Sequence, residues 1–121
     1  MVRIRRAYER ATPDDGYRVL VDRLWPRGVK KDALRVDLWA KDVAPSTALR
    51  RWFGHDPARF GEFARRYHAE LRAPAARALL ADLTRRAGRG AVTLVYGARD
   101  EEHNGAVVLR DAIEDALRAH A

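Results

Sequence analysis

Val92-Thr93-Leu94-Val95-Tyr96 is almost entirely β-branched or apolar, with no polar residue at every second position. A strand with one wet face alternates at a period of two, so this unbroken run is expected of a central strand covered on both faces. Upstream, Pro74 opens a helix that turns Ala76, Leu79, Leu80 and Leu83 inward and ends at Gly88 and Gly90. Downstream, Asn104 is placed to cap a helix whose inward stripe is Ala106, Leu109, Ala112, Ile113, Ala116 and Leu117. Helix, buried strand and helix in succession imply parallel pairing with helices laid against the sheet.

The same pattern recurs towards the N-terminus. Tyr17-Arg18-Val19-Leu20-Val21 reads as a second strand, preceded by the turn chemistry of Thr12-Pro13-Asp14-Asp15-Gly16. Val2, Ile4 and Ala7-Tyr8 alternate with arginines, as suits a weak strand near a sheet edge. Val36, Leu38 and Ala40 alternate with Asp37, Trp39 and Lys41, a period that suits a further short strand or extended segment. Pro45-Ser46 leads a short N-capped helix, Thr47 to Phe53, stopped by Gly54. Asp56-Pro57 opens the next, with Phe60, Phe63, Ala64, Tyr67 and Leu71 on one stripe. There are no repeats, low-complexity tracts or linkers. The expectation is an α/β fold, a short mainly parallel sheet packed between helices, in a single domain spanning residues 1–121. Trp39, Phe63, Leu80, Leu94 and Leu109 are expected to share its core.

The charge balance narrows the function classes. Of 121 residues, 24 are basic and 17 acidic, for a net +7. Only Lys30, Lys31 and Lys41 are lysines, so arginine carries the rest. The acidic end is residues 100–121, with two basic and six acidic groups. Two readings of the basic balance stand: a polyanionic partner, or the arginine and alanine richness of a high-GC genome. The lack of cysteine excludes disulfides, thiolate nucleophiles and cysteine-ligated metal centres. Met1-Val2-Arg3-Ile4-Arg5-Arg6 has no apolar stretch behind it, and no run of about 18 apolar residues could span a bilayer. The expectation is a cytoplasmic protein with no membrane partner.

In parallel α/β sheets, ligands bind outside the carboxyl ends of the strands. That rule selects two loops. Asp22-Arg23-Leu24-Trp25-Pro26-Arg27-Gly28 sets two guanidinium groups around a tryptophan. Arginine forks bind carboxylates and phosphates, and an indole can stack on a planar group. The structural alternative pairs Asp22 with one arginine and buries Trp25. Gly97-Ala98-Arg99-Asp100-Glu101-Glu102-His103-Asn104 leads into a helix whose start attracts anions. His103 with Asp100 forms the candidate catalytic pair, since His103 alone there titrates near neutral pH. Its structural alternative is a capping or surface histidine. Arg23, Trp25, Arg27, Tyr96, Arg99 and Asn104 complete the set as candidate ligand contacts. Asp100 and His103 with Glu101 or Glu102 would make an incomplete metal set, because no second histidine lies at ligand spacing, and no metal is expected. Trp52, Phe53 and His55 wall a pocket or simply pack a helix corner. His68 and His120 have no partner motif. Glycine-rich phosphate loops are absent, because Gly88-Arg89-Gly90 precedes a strand instead of following one, and no cofactor is assigned.

Asp14 to Gly28, Ala44-Pro45-Ser46-Thr47 with Leu49-Arg50 and Trp52-Phe53, Gly54-His55-Asp56, and Leu94-Val95-Tyr96 with His103-Asn104, Ala106, Val108 and Leu109 closely resemble the YeaO-like family. The resemblance covers nearly the whole chain. It implies an α/β fold shared by small bacterial proteins of unassigned function, and it brings no catalytic set. The family pattern recurs at Asp22, Arg23, Trp25, Pro26, Arg27 and His103-Asn104. Gly97 and Gly105 depart from the family's usual small or polar residues, which implies a looser backbone there.

The leading expectation is a pocket at the strand ends that takes a small anionic, phosphorylated ligand, with Arg23, Arg27 and Arg99 as clamps and His103 as acid or base. The alternative is a nucleic-acid-associated module using Arg50, Arg51, Arg65, Arg66, Arg85 and Arg86. A protein-interaction module is a third class, marked by a flat apolar surface in place of a pocket.

Overall fold

The apolar run at 92–96 lies inside a four-stranded, wholly parallel sheet. The computed structural model describes residues 1–119, so His120 lies outside the described residues. Strands β1 (Val2–Arg6), β2 (Tyr17–Leu20), β3 (Leu38–Trp39) and β4 (Val92–Tyr96) are ordered β1-β4-β2-β3. β4 pairs Val92 to Tyr96 with Val2 to Arg6 on one side, and Val92 to Val95 with Tyr17 to Leu20 on the other. All of its residues are buried. β1, with its alternating arginines, is at the edge.

Among the described residues, five α-helices complete the single α/β domain: α1 (Lys31–Leu34), α2 (Thr47–Phe53), α3 (Phe60–Glu70), α4 (Pro74–Arg89) and α5 (Gly105–Ala119). They cover the sheet unequally. Val19, Val21, Leu94 and Tyr96 face a large core built from Leu49 and Phe53 of α2, Phe63 and Tyr67 of α3, Leu83 and Ala87 of α4, and Leu109 and Ile113 of α5. The opposite face carries only a small cluster, Ala7, Leu20, Leu34 and Val95, under Trp25, Val29, Val36 and Trp39. Phe63, Leu94 and Leu109 share the large core, with half-buried Leu80 against it. Trp39 does not. Side chains alternate across a strand, so with Leu38 packed on the large core its neighbour must point to the other face.

The thinner face depends on a polar cluster. Parallel strands are usually joined by a crossover of a dozen or more residues, most often a helix. Here residues 7–16 return from β1 to β2 with a single 3-10 turn, Pro13–Asp15. Arg5, Arg18 and Thr93 point to this face by the same alternation, Arg18 directly paired with Thr93. Asp15 is fully buried against them. Its carboxylate lies 2.6 Å from Arg18 Nη1 and 3.0 Å from Arg5 Nε. It also accepts the Thr12 N–H and hydroxyl, each at 3.1 Å. The Thr93 hydroxyl donates to the Asp15 carbonyl at 2.7 Å, and Arg18 Nη2 donates to the Leu34 carbonyl at 2.8 Å. Burial alone would raise the Asp15 carboxyl, but the Thr12 donors and the two guanidinium groups outweigh it and hold it below the usual carboxylate range. Gly16 follows at φ 63°, where a Cβ would collide with the Ala91 backbone, so only glycine makes this turn into β2.

Leu94→Ala is expected to cost about 2–5 kcal/mol in denaturant melts, from lost burial and the cavity left behind. Because the Asp15 carboxyl is lowered on folding, its contribution is present above the ordinary carboxylate value and lost as pH falls through the lowered folded value. Asp15→Asn should therefore destabilise the protein at neutral pH and flatten its stability curve in that acid window.

Candidate functional site

The carboxyl ends of β2 and β4 lie side by side, so the loops that follow them meet. Val21 donates its N–H to the Val95 carbonyl at 3.0 Å, carrying the pairing to the lip of the sheet. Next, the Asp22 carboxylate accepts the Gly97 N–H at 2.8 Å and bridges the two loops. Burial pushes the Asp22 carboxyl up, opposed by the Gly97 N–H and the charges of Arg50 and His55. Trp39 Nε1 donates to the Asp22 carbonyl at 2.8 Å and fixes the start of the loop.

Arg23 does not pair with Asp22. Its Nε donates to the Pro45 carbonyl at 3.1 Å, with Nη2 3.3 Å from the Ala44 carbonyl, so it braces the segment that starts α2. That segment is fastened from beyond as well. The Ser46 side chain caps α2 by accepting the Leu49 N–H at 3.1 Å and donates to Glu70 at 2.6 Å, while the Tyr67 hydroxyl donates to the Val43 carbonyl. Trp25 is half-buried, edge-on to Trp39 at 5.3 Å, with Nε1 donating to the Val29 carbonyl at 2.6 Å. It packs against the smaller core and also lines the cleft described below.

In the second loop, Asp100 accepts the N–H groups of Glu102 at 2.9 Å and His103 at 3.1 Å, and its other oxygen lies 2.9 Å from His103 Nδ1. The Glu102 N–H leads in holding the Asp100 carboxyl below its ordinary value, with His103 adding to it. Asn104 caps α5 by accepting the Val107 N–H at 3.0 Å. Gly97 and Gly105 sit in close quarters: a Cβ would come within 3.2 Å of the Asp22 carboxylate at the first and 3.3 Å of Pro45 at the second.

These parts enclose a cleft of about 700 Å³, within the usual range for small-molecule sites. Arg23, Trp25, Arg27, Tyr96, Arg99, Asp100 and Asn104 all line it. His103 does not. Its ring is held by Asp100 and packs edge-on against Phe60 at 5.2 Å. The histidine on the wall is His55, together with Phe53, Phe63 and Arg50. Gly54 and His55 both take left-handed backbone angles, φ 55° and 58°, which reverse the chain after α2 and bring His55 into the field of Asp22. A non-glycine residue in that region is uncommon. In the sequence Arg50 reads as part of the family pattern and of the basic helix set, not as a cleft residue, because its place on the wall depends on how Arg23 and Ser46 orient α2.

Ion pairing differs between the cleft arginines and many of those on the helices. On the helices, Glu62 pairs with Arg65 and Arg66, Asp82 with Arg85 and Arg86, and Asp115 with Arg118. Among the described residues, none of Arg23, Arg27, Arg50 and Arg99 forms an ion pair with a carboxylate. No group of three or more histidine, aspartate or glutamate side chains among the described residues is placed to hold a metal ion, and no described helix is long and apolar enough to cross a membrane.

A small α/β domain with an arginine-lined cleft at its strand ends is the class this fold and geometry define. The chain belongs to the DUF488-N3i family, described as the inactive DUF488-N3 subclade, whose model matches residues 1–121. Its relatives place it among YeaO-like bacterial proteins. The uncharacterised protein Rv3073c of Mycobacterium tuberculosis is 53% identical over 108 residues, 89% of each chain. The uncharacterised protein YeaO of Escherichia coli is 40% identical over 111 residues, 91% of this chain and 94% of its own. No solved structure matches the chain.

An aspartate whose carboxyl is raised by folding costs stability as pH climbs from its unfolded to its folded value, because the native state then holds the extra proton. Asp22→Asn keeps an oxygen for the Gly97 N–H and removes that charge. It should raise the melting temperature near neutral pH, and the gain should vanish in acid where Asp22 is protonated.

Proposed function

We propose that this protein binds a small anionic, phosphorylated ligand in the cleft at the carboxyl ends of β2 and β4. The observation that carries this reading is the gathering on one cleft wall of four arginines that form no ion pair with a carboxylate. Unpaired guanidinium groups gathered in a concave, partly apolar site repel one another, and a bound anion relieves that repulsion while matching their planar forks. Arg23, Arg27, Arg50 and Arg99 are the clamps. Trp25 and Tyr96 offer aromatic surface, and Asn104 brings the start of α5, whose free N–H groups favour negative charge.

Binding without turnover is the better supported form of this reading. The family is described as inactive, and the Asp100–His103 pair is engaged with its own turn and with Phe60. In this reading that pair shapes the second loop, and an acid–base role is the secondary proposal. The nucleic-acid alternative is less supported, because Arg65 and Arg66 share the counter-charge of Glu62, and Arg85 and Arg86 that of Asp82, on their own helices.

Inorganic phosphate and adenosine 5′-monophosphate should raise the melting temperature beyond sodium chloride of equal ionic strength, with about 2.7 kcal/mol added at 100 times the dissociation constant. Arg50→Ala should abolish the rise. In NMR titrations with phosphate, the ring resonances of His55 should shift saturably and those of His103 should not; the reverse would restore His103 as the acid or base. A midpoint unmoved by every anion, or binding to DNA that weakens steeply and linearly in log salt, would count against the cleft as a small-anion site.

A further inference from the structure

Beside the cleft is a second hollow of about 340 Å³, lined by Arg6, Tyr8, Arg27, Gly97 and Arg99. Tyr8, Arg27, Gly97 and Arg99 also line the cleft, so the two spaces adjoin through shared side chains. Its three arginines come from three separate parts of the chain: the end of β1, the loop after β2 and the loop after β4. No carboxylate lines it, and among the described residues none of the three forms an ion pair. The nearest acid in sequence, Glu9, is engaged elsewhere, accepting the Arg6 backbone N–H at 3.1 Å and pairing with Arg5 at 3.4 Å.

The hollow is braced as well as charged. Arg6 Nε donates to the Ala98 carbonyl at 2.9 Å, which orients the guanidinium and ties β1 to the second loop. The same guanidinium lies 5.1 Å from the centre of the Tyr8 ring. The Tyr8 hydroxyl donates to the Arg27 carbonyl at 3.0 Å, tying the β1 end to the first loop. With Nε used on a carbonyl, the two Nη groups of Arg6 remain as the fork that carboxylates and phosphates accept.

Arg50 and His55 line the cleft but not the hollow. Aromatic and apolar side chains also line the cleft. Tyr8 and Leu24, both on the cleft wall, are 51% and 58% exposed, and Met1 is the only other large hydrophobic residue so exposed among those described. Large apolar side chains left open beside a concave site mark a surface suited to contact.

We propose that the hollow is a second anion subsite and that, on the reading above, the ligand carries a phosphate at each end of a flat, nucleoside-sized body. One phosphate lies among Arg6, Arg27 and Arg99, the body lies along Tyr8, Leu24 and Trp25, and the other phosphate lies at Arg50 and His55. A nucleoside bisphosphate is the chemical class that fits.

Calorimetric titration of the full chain at fixed ionic strength with adenosine 5′-monophosphate and adenosine 3′,5′-bisphosphate tests this. The bisphosphate should bind about tenfold tighter or more, as expected of added charge-assisted hydrogen bonds. Arg6→Ala should erase that gain and leave the monophosphate affinity within about twofold, since on this reading the monophosphate is held at the Arg50 end. Arg6→Gln, which removes the charge but keeps a side chain with an N–H donor, checks the result if Arg6→Ala fails to fold. Monophosphate binding that depends on Arg50, with no gain from the second phosphate or a gain that survives both variants, overturns the second subsite alone. No binding of either nucleotide overturns the subsite and the cleft reading together.

Discussion

A buried carboxylate held by Thr12 and two guanidinium groups makes this arrangement of strands workable. β1 and β2 flank β4 on its two sides, so the chain must cross from one to the other, and it does so through residues 7–16 without a helix. A bare loop over a sheet face leaves polar backbone against apolar side chains. Asp15 answers this by gathering Thr12, Arg5 and Arg18 around one carboxylate while its own carbonyl takes the Thr93 hydroxyl. Arginine and threonine in the strands thus serve as the cover that a helix supplies elsewhere. Breaking such a buried pair is costly because a charge is left uncompensated, so the register of β2 against β4 is tied to this cluster.

That register places the cleft. With β2 beside β4, Asp22 and Gly97 leave the sheet at the same level, and one hydrogen bond joins their loops. Arg23 then extends the frame to the start of α2, and α2 ends in the reversed turn that carries His55. Each of these contacts is between a side chain and a backbone group. Such contacts set loop position without using up the positive charge, and Arg23 and Arg6 do the same through their carbonyl acceptors. Arg23 and Arg6 are therefore held in place but not neutralised, unlike the arginines of α3, α4 and α5 that pair with carboxylates.

Much of the fold was legible. The unbroken run at 92–96, the alternating arginines of β1, the Ser46 and Asp56 caps and the Asn104 cap are local patterns, each decided within a few residues by backbone hydrogen-bonding needs and by period. The two strand-end loops followed from parallel topology alone. Trp39 was less legible, because alternation in a two-residue strand flanked by loops does not say which phase faces the main core. Asp15 read as ordinary turn chemistry, since Thr12-Pro13-Asp14-Asp15-Gly16 carries no mark that its carboxylate will be buried. His55 and His103 changed places with respect to the cleft for a similar reason: two consecutive left-handed residues reverse the chain after α2, and a sequence shows glycine readily but not a histidine at positive φ.

The sequence by itself determined the fold class, the inward stripes of the longer helices, the central strand, the loops that meet and the family, because these depend on near-neighbour spacing and composition, whereas the single-turn α1 (Lys31–Leu34) is too short to leave a periodic pattern. Only the tertiary structure decided which arginines lack a carboxylate. Pairing at i, i+3 and i, i+4 on a helix can be read from spacing, but Arg6, Arg27, Arg50 and Arg99 come from segments far apart in the chain. That they gather around adjoining hollows without forming ion pairs is a fact about distances in space.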